Sequence, residues 1–315
     1  MTAAETRQMR AVRFHEYGPP SVLTLEEVDR PTPNDGEVLI RVRAAGVNAI
    51  DWKFRAGYLK EWVPLELPHT LGLDVAGTVE EVGPGVSEFA VGDDVFGRAA
   101  GGYADYAIAP VTTIVPKPAG LSFQEGATLS VGGVTAWVGL FDAARLRSGQ
   151  RLLVQGGAGG VGSLAVQLGH WKGAHVIATT ATGNVDYVRS LGADDVIDYT
   201  TANTEDVVRD VDVVLDTVGG AVMDRSWSVL KPDGILVSVA GMPDPEKAAA
   251  HGVRTSGVQS PEIIRPVLEQ LVRLIEAGAL APQVRQVFPL PEAAAAHAAA
   301  ETGHGRGRII LQVSG

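Results

Sequence analysis

Cysteine is absent from the 315 residues. That excludes disulfides, thiolate nucleophiles, iron–sulfur clusters and every cysteine-ligated zinc site. No apolar run reaches the roughly 18 residues a membrane helix needs. Met1–Arg10 lacks the apolar stretch of a secretory signal and reads as a short frayed tail, so a cytoplasmic protein is expected. Basic charge is also in deficit. Lys and Arg total 26 against 37 Asp and Glu, a formal net charge of −11. Without a Lys/Arg cluster, nucleic acid and anionic membrane surfaces are poor partners. What is present is the composition of an ordinary globular protein, 45% hydrophobic and 20% charged. At roughly 150 residues per domain, the length suggests about two domains.

The chain changes character along its length. From Ala11 to about Gly120, short apolar runs (Ala11–Phe14, Val38–Ala44, Ala76–Val82, Asp94–Phe96) are punctuated by Gly and Pro, which predicts a β-barrel or sandwich. Gln124–Leu146 reads as helices broken near Gly132-Gly133. From there strands alternate with helices: Arg151–Gln155, His175–Thr179, Val196-Ile197, Val211–Asp216 and Ile235–Val239 against Gly160–Trp171, Val185–Leu191 and Met223–Leu230. Continuous apolar strands alternating with helices predict an α/β unit with a parallel sheet covered on both faces. Pro261–Ala279 carries apolar residues at helical spacing. The remainder returns to strand, an Ala-rich helix over Pro291–Glu301, and strand Arg308–Val313.

Directly after the strand Arg151–Gln155 comes Gly156-Gly157-Ala158-Gly159-Gly160-Val161-Gly162, then a helix. Gly157, Gly159 and Gly162 form a G-x-G-x-x-G fingerprint in the strand-to-helix context a dinucleotide site requires. Residues without side chains let the backbone approach a pyrophosphate, and the helix start offers free N–H groups. NAD sites place an acid about 20 residues further on, against the ribose 2′-hydroxyl. Here Thr179, Thr180 and Asn184 supply hydroxyl and amide groups instead, and no acid precedes Asp186. That pattern favours NADP, with Tyr199 and Arg306 or Arg308 as possible contributors to a 2′-phosphate site.

At this point the sequence resembles the medium-chain dehydrogenase/reductase superfamily, most closely its zinc-independent quinone oxidoreductase branch. The matching stretches are PxxGEVLIRVRAAGVNAIDWKFRAGY from Pro33, GLDVAGTVEEVGPGVSEFAVGDDVFG from Gly72, GVTAW from Gly133, GGAGGVGSLAVQL from Gly156, LGADDVIDY from Leu191, VLDTVGG from Val214 and GRGRIIL from Gly305. The resemblance implies a GroES-like β-barrel catalytic domain over residues 1–122, completed by 280–315, and a Rossmann doubly wound parallel sheet over 123–279. It implies Ala158, Gly159, Gly160 and Val161 over the pyrophosphate, and Thr135, Thr217, Val218, Val239 and Ala240 on the cofactor. It also implies a homodimer, formed by pairing of the Val253–Gln259 strand with its copy.

Zinc-dependent relatives carry a Cys where Asn48 stands and a His where Leu73 stands. Three protein ligands are needed even in an open zinc site, so the expectation is a zinc-independent enzyme. His69 is expected to be structural. Without a Lewis acid, the natural acceptors are already electrophilic: quinones, or alkenes conjugated to a carbonyl. Hydride would pass from NADPH to an electron-poor carbon, and preplaced groups would meet the charge developing on oxygen. The resemblance offers Asn48, Asp51 and Lys53 as catalytic candidates, with Tyr58 the weakest. A substrate wall from Trp52, Phe54, Tyr58, Trp62 and residues near Gln259 is expected. An enoyl-thioester reductase and a weakly catalytic NADPH-binding protein remain as competing readings.

Overall fold

The computed structural model describes residues 8–258 and 263–314. Gln259 and the start of the helix predicted from Pro261 lie outside the described residues, as does most of the N-terminal tail. Short strands dominate the first third: Gln8–Phe14 (β1), Thr24–Asp29 (β2), Glu37–Val47 (β3), His69–Thr70 (β4), Asp74–Val82 (β5), Asp94–Arg98 (β6), Tyr106–Pro110 (β7) and Ile114–Pro116 (β8). β3 is the hub, antiparallel to both β5 and β7. Its apolar residues Val38, Leu39, Ile40, Val42, Ala44 and Ala45 are fully buried.

The middle of the chain supplies Arg151–Gln155 (β9), His175–Thr180 (β10), Asp195–Asp198 (β11), Val211–Asp216 (β12), Leu230–Ser238 (β13) and Arg254–Gly257 (β14). They form one parallel sheet in the order β11-β10-β9-β12-β13-β14. Leu152, Leu153 and Val154 of β9 are all fully buried, because helices cover both faces. Strand order reverses between β9 and β12, so the crevice beyond their carboxyl ends is where such a sheet takes its ligand. Val284–Pro289 (β15) and Arg308–Gln312 (β16) then return to the first sheet. β16 runs parallel to β15 and antiparallel to β3, with Ile309 opposite Val47.

Three local expectations are corrected. The helix over Leu129–Trp137 runs unbroken through Gly132-Gly133. A Cβ on Gly132 would lie 2.9 Å from the Gly160 carbonyl oxygen, and one on Gly133 would lie 2.6 Å from Leu271 Cδ1. These glycines serve close packing rather than a break. Leu230, read as the end of a helix, instead opens β13, after a helix at Gly220–Ser226 and a tight turn at Trp227–Val229. The last long helix spans Arg265–Glu276, with Val267, Leu268, Leu271 and Leu274 buried. One core joins the two sheets: Ala44, Ala76 and Phe96 pack in the same cluster as Leu129, Val134, Leu152 and Leu164.

Candidate active site

The glycine loop begins where β9 ends. Gly156 sits at φ 79°, which favours glycine. A Cβ on Gly162 would stand 2.1 Å from the Gly156 carbonyl oxygen, so the turn closes only without a side chain. The helix Gly162–Trp171 follows, with the Ser163 N–H donating back to the Gly159 carbonyl at 2.9 Å. Thr179 braces the turn from β10: its Oγ1 accepts from Gly156 N–H at 3.0 Å and donates to Gln155 Oε1 at 2.8 Å.

Between the barrel and this loop lies a cavity of about 600 Å³. Asn48, Trp52 and Lys53 line it from the barrel side, and Thr135 lines it from the helix Leu129–Trp137. Ala158, Gly159, Gly160 and Val161 form its floor. Thr180, Asn184 and Tyr199 lie on the rim beyond β10, and Thr217, Val218, Val239 and Ala240 come from the ends of β12 and β13. A second cavity of about 360 Å³ adjoins it, sharing Gly156, Tyr199, Val218, Gly303 and His304 and taking in Thr179. Gly157 and Gly162 line neither cavity and shape the turn from behind.

Asp51, offered as a catalytic group, also lines neither cavity. It is buried at the start of the helix Ala49–Arg55, where one oxygen accepts from Asn48 N–H at 2.7 Å and from Tyr103 Oη at 3.2 Å. Burial pushes its pKa up to about 7, against the bond from Asn48. Behind it, His297 Nε2 lies 3.3 Å from Tyr103 Oη, and burial pushes its imidazole down to about 3. Asp51 therefore closes a helix end and a buried network rather than facing a ligand. Of the expected substrate wall, Trp52 lines the cavity. Phe54 packs on the barrel core instead, while Tyr58 and Trp62 stand exposed outside both cavities.

Asn48 is 1% exposed. Its Nδ2 donates to Asp74 Oδ2 at 2.9 Å, and its Oδ1 has no partner. The other oxygen of Asp74 accepts from Ser130 Oγ and from Val131 N–H at 2.7 Å. Both oxygens of Asp74 are thereby engaged, while Asn48 Oδ1 is left open. Among the described residues no group of three or more His, Asp or Glu could hold a metal. His69 packs edge-on against Phe14, with ring centroids 6.0 Å apart. The residues present do not fit a zinc centre.

They do fit an anionic ligand. Arg308 is buried beside Gly132 and Gly160, in the field of Asp74 and Asp51, and its Nε and Nη2 have no partner. Burial lowers its pKa while those acids oppose the shift. A buried cation with open donors beside a glycine turn is what a pyrophosphate seat requires. Arg306 lies apart, outside both cavities. Its Nε donates to Asn184 Oδ1 at 2.9 Å, its Nη2 donates to the Gly183 carbonyl at 2.6 Å, and its guanidinium lies 5.1 Å from the Tyr187 ring centroid. The two arginines thus sit at different places: Arg308 at the glycine loop, Arg306 at the loop after β10. Asp198, opposite Thr180 in the sheet, lines neither cavity, and Thr200 occupies one of its oxygens.

Sequence reasoning missed one wall of the cavity. Ala300, Glu301, Gly303, His304 and Gly305 line it from the segment before β16. The alternating glycines of Gly303–Gly307 were the available signal.

Residues 34–119 match the family described as "Alcohol dehydrogenase GroES-like domain", and residues 191–311 match "Zinc-binding dehydrogenase". The mouse quinone oxidoreductase is 33% identical, over 98% of this chain and 99% of its own. A chloroplastic NADPH-dependent alkenal/one oxidoreductase of Arabidopsis thaliana is 35% identical, over 98% of this chain and 81% of its own. The solved quinone oxidoreductase of Coxiella burnetii superposes with a TM-score of 0.89 at 35% identity, covering 98% of this chain and 100% of that one.

Proposed function

Because the chain belongs to the medium-chain dehydrogenase/reductase superfamily, among its quinone oxidoreductase-type members, we propose that it reduces quinones or α,β-unsaturated carbonyls with NADPH and without zinc. The observation that carries this reading is the cavity itself. One wall is a glycine loop with a buried, open-handed arginine, and the facing wall bears Asn48, Trp52 and Lys53.

NADPH, when bound, supplies a hydride from the nicotinamide. Gly156–Gly162 and Arg308 would hold the pyrophosphate. Thr135, Thr217, Val218, Val239 and Ala240 would border the nicotinamide riboside. Thr180, Asn184, Tyr199 and Arg306 would border a 2′-phosphate, where the absence of an acid in the β10 loop and the guanidinium at Asn184 both favour NADP. Lys53, which lines the cavity from the barrel side, would offer its ammonium to the charge that develops on the acceptor oxygen. Asn48 holds the end of the same helix and borders the reacting faces. Asp51 supports that helix from inside.

The domain reading remains a barrel unit over 1–122 with 280–315 and a nucleotide unit over 123–279. β14 pairs with β13 on one side only, and a second copy would add its strand at the other, giving a homodimer whose mass light scattering measures. Among the described residues no helix is long and apolar enough to cross a membrane, and a cytoplasmic location is part of the proposal.

The test is NADPH oxidation with 1,4-benzoquinone, 9,10-phenanthrenequinone, an alkenal and crotonyl-CoA. Turnover with the quinones or the alkenal is expected. Turnover confined to crotonyl-CoA would select the thioester reading, and NADPH binding without turnover on any acceptor would select the non-catalytic one.

A further inference from the structure

The wall that sequence reasoning missed is fastened at both ends. At its start, Glu301 closes the helix Ala293–Glu301 and pairs with Arg55, the last residue of the helix Ala49–Arg55 that also carries Lys53. Arg55 is 1% exposed, and the carboxylate of Glu301 is its ion-pair partner. At the far end, Gly307 N–H donates to the Ala158 carbonyl at 2.8 Å, in the glycine loop itself, and Arg306 holds the loop after β10. Between these anchors run Thr302–Gly307, with Gly303, Gly305 and Gly307 at φ 67°, 128° and 67°. Gly303 has open space around it, whereas a Cβ on Gly305 would lie 2.3 Å from Arg285 Nε and one on Gly307 2.1 Å from the Gln283 carbonyl oxygen, so the segment is hinged at Gly303 and seated at Gly305 and Gly307. His304, midway along, lines both cavities.

We propose that Thr302–Gly307 clamps the bound dinucleotide, and that Glu301 and Arg55 are positioning residues which tie this clamp to the helix bearing Lys53. The cofactor seat and the acceptor seat then share one ion pair. Loosening that pair lets the clamp lift, which speeds cofactor release without removing any group that touches the pyrophosphate. The inference rests on the cofactor-binding reading above, and its failure is separable from the failure of that reading.

The first experiment uses the whole wild-type protein. Amide hydrogen exchange is followed with and without NADP⁺, alongside a fluorescence titration with NADPH. Protection of 302–307 together with 156–162 is expected. Protection of 156–162 alone overturns the clamp and leaves the cofactor reading intact, whereas no association with NADPH overturns both. The second experiment measures NADPH release by stopped flow in Glu301→Gln, Arg55→Met and the double variant. Release is expected to quicken about tenfold in each single variant, with little further change in the double, and the association rate is expected to hold. Fully additive effects on release would show that the two residues act independently, and a lowered melting temperature with unchanged release would show that the pair serves stability alone; either result overturns the proposal.

Discussion

Replacing Arg306 with alanine should change which coenzyme the protein prefers. The guanidinium is already anchored by Asn184 Oδ1 at 2.9 Å and the Gly183 carbonyl at 2.6 Å, and it lies over the Tyr187 ring. Its side-chain entropy is therefore largely lost before a ligand arrives, so less of the interaction with a 2′-phosphate is offset on binding. A charge-assisted hydrogen bond contributes about 1.5–3 kcal/mol. Arg306 is exposed, and solvent and salt screening place it near the lower end, about 1.5 kcal/mol or roughly tenfold. In steady-state assays with one quinone, kcat/KM for NADPH should fall about tenfold in Arg306→Ala, chiefly through KM, while kcat/KM for NADH stays within about twofold. Arg306→Lys keeps the charge without the two-pronged geometry and should fall between the two. The NADPH preference of the wild type should also narrow as salt is raised. A parallel loss with both coenzymes would refute the placement of the 2′-phosphate at Arg306, as would an unaltered NADPH constant.

Asp51 links the fold to pH. Its folded pKa of about 7 stands above the ordinary 3.8, so between these values the folded protein binds the extra proton and stability falls as pH rises through the window. The melting temperature of Asp51→Asn, measured against pH, should lack this fall. The gap between variant and wild type should move in favour of the variant above pH 7 by up to about 4 kcal/mol, and parallel curves would contradict the assignment. Gly162→Ala forces a Cβ to within 2.1 Å of the Gly156 oxygen. It should destabilise by about 3 kcal/mol and abolish NADPH fluorescence enhancement, whereas wild-type binding would show that the loop is looser than described. Prolonged dialysis against a chelator should leave quinone turnover unchanged and elemental analysis should find no stoichiometric zinc, whereas activity that returns only with zinc would restore a metal role.

Much of the nucleotide unit was legible because its signals are local. Arg151–Gln155 and Val211–Asp216 fall where their apolar runs stand, and the glycine turn sits between strand and helix as its pattern requires. Gly132-Gly133 misled because the reason for small residues there is the approach of the Gly160 carbonyl and of Leu271, which no window of sequence contains. Asp51 misled for a different reason, since the signal was present. Asn48-x-x-Asp51 has the spacing of a helix-start cap, with a carboxylate turning back to an N–H, and chemistry was read into a carboxylate that holds a helix end. Glu301 carried no local signal, because its partner Arg55 is contributed by a helix near the other end of the chain.

The adjacency of β16 and β3 orders events during synthesis. Val47 and its neighbours are made early, yet the strand that covers them, Arg308–Gln312, is translated after the entire parallel sheet. While the ribosome is still working, the middle of the chain can complete its layers, whereas the first sheet waits with the Ala44–Val47 margin of β3 uncovered. Such margins invite pairing with foreign strands. A nascent polypeptide of this kind depends on what shelters that margin, so truncated products should aggregate through their opening third rather than through the nucleotide fold.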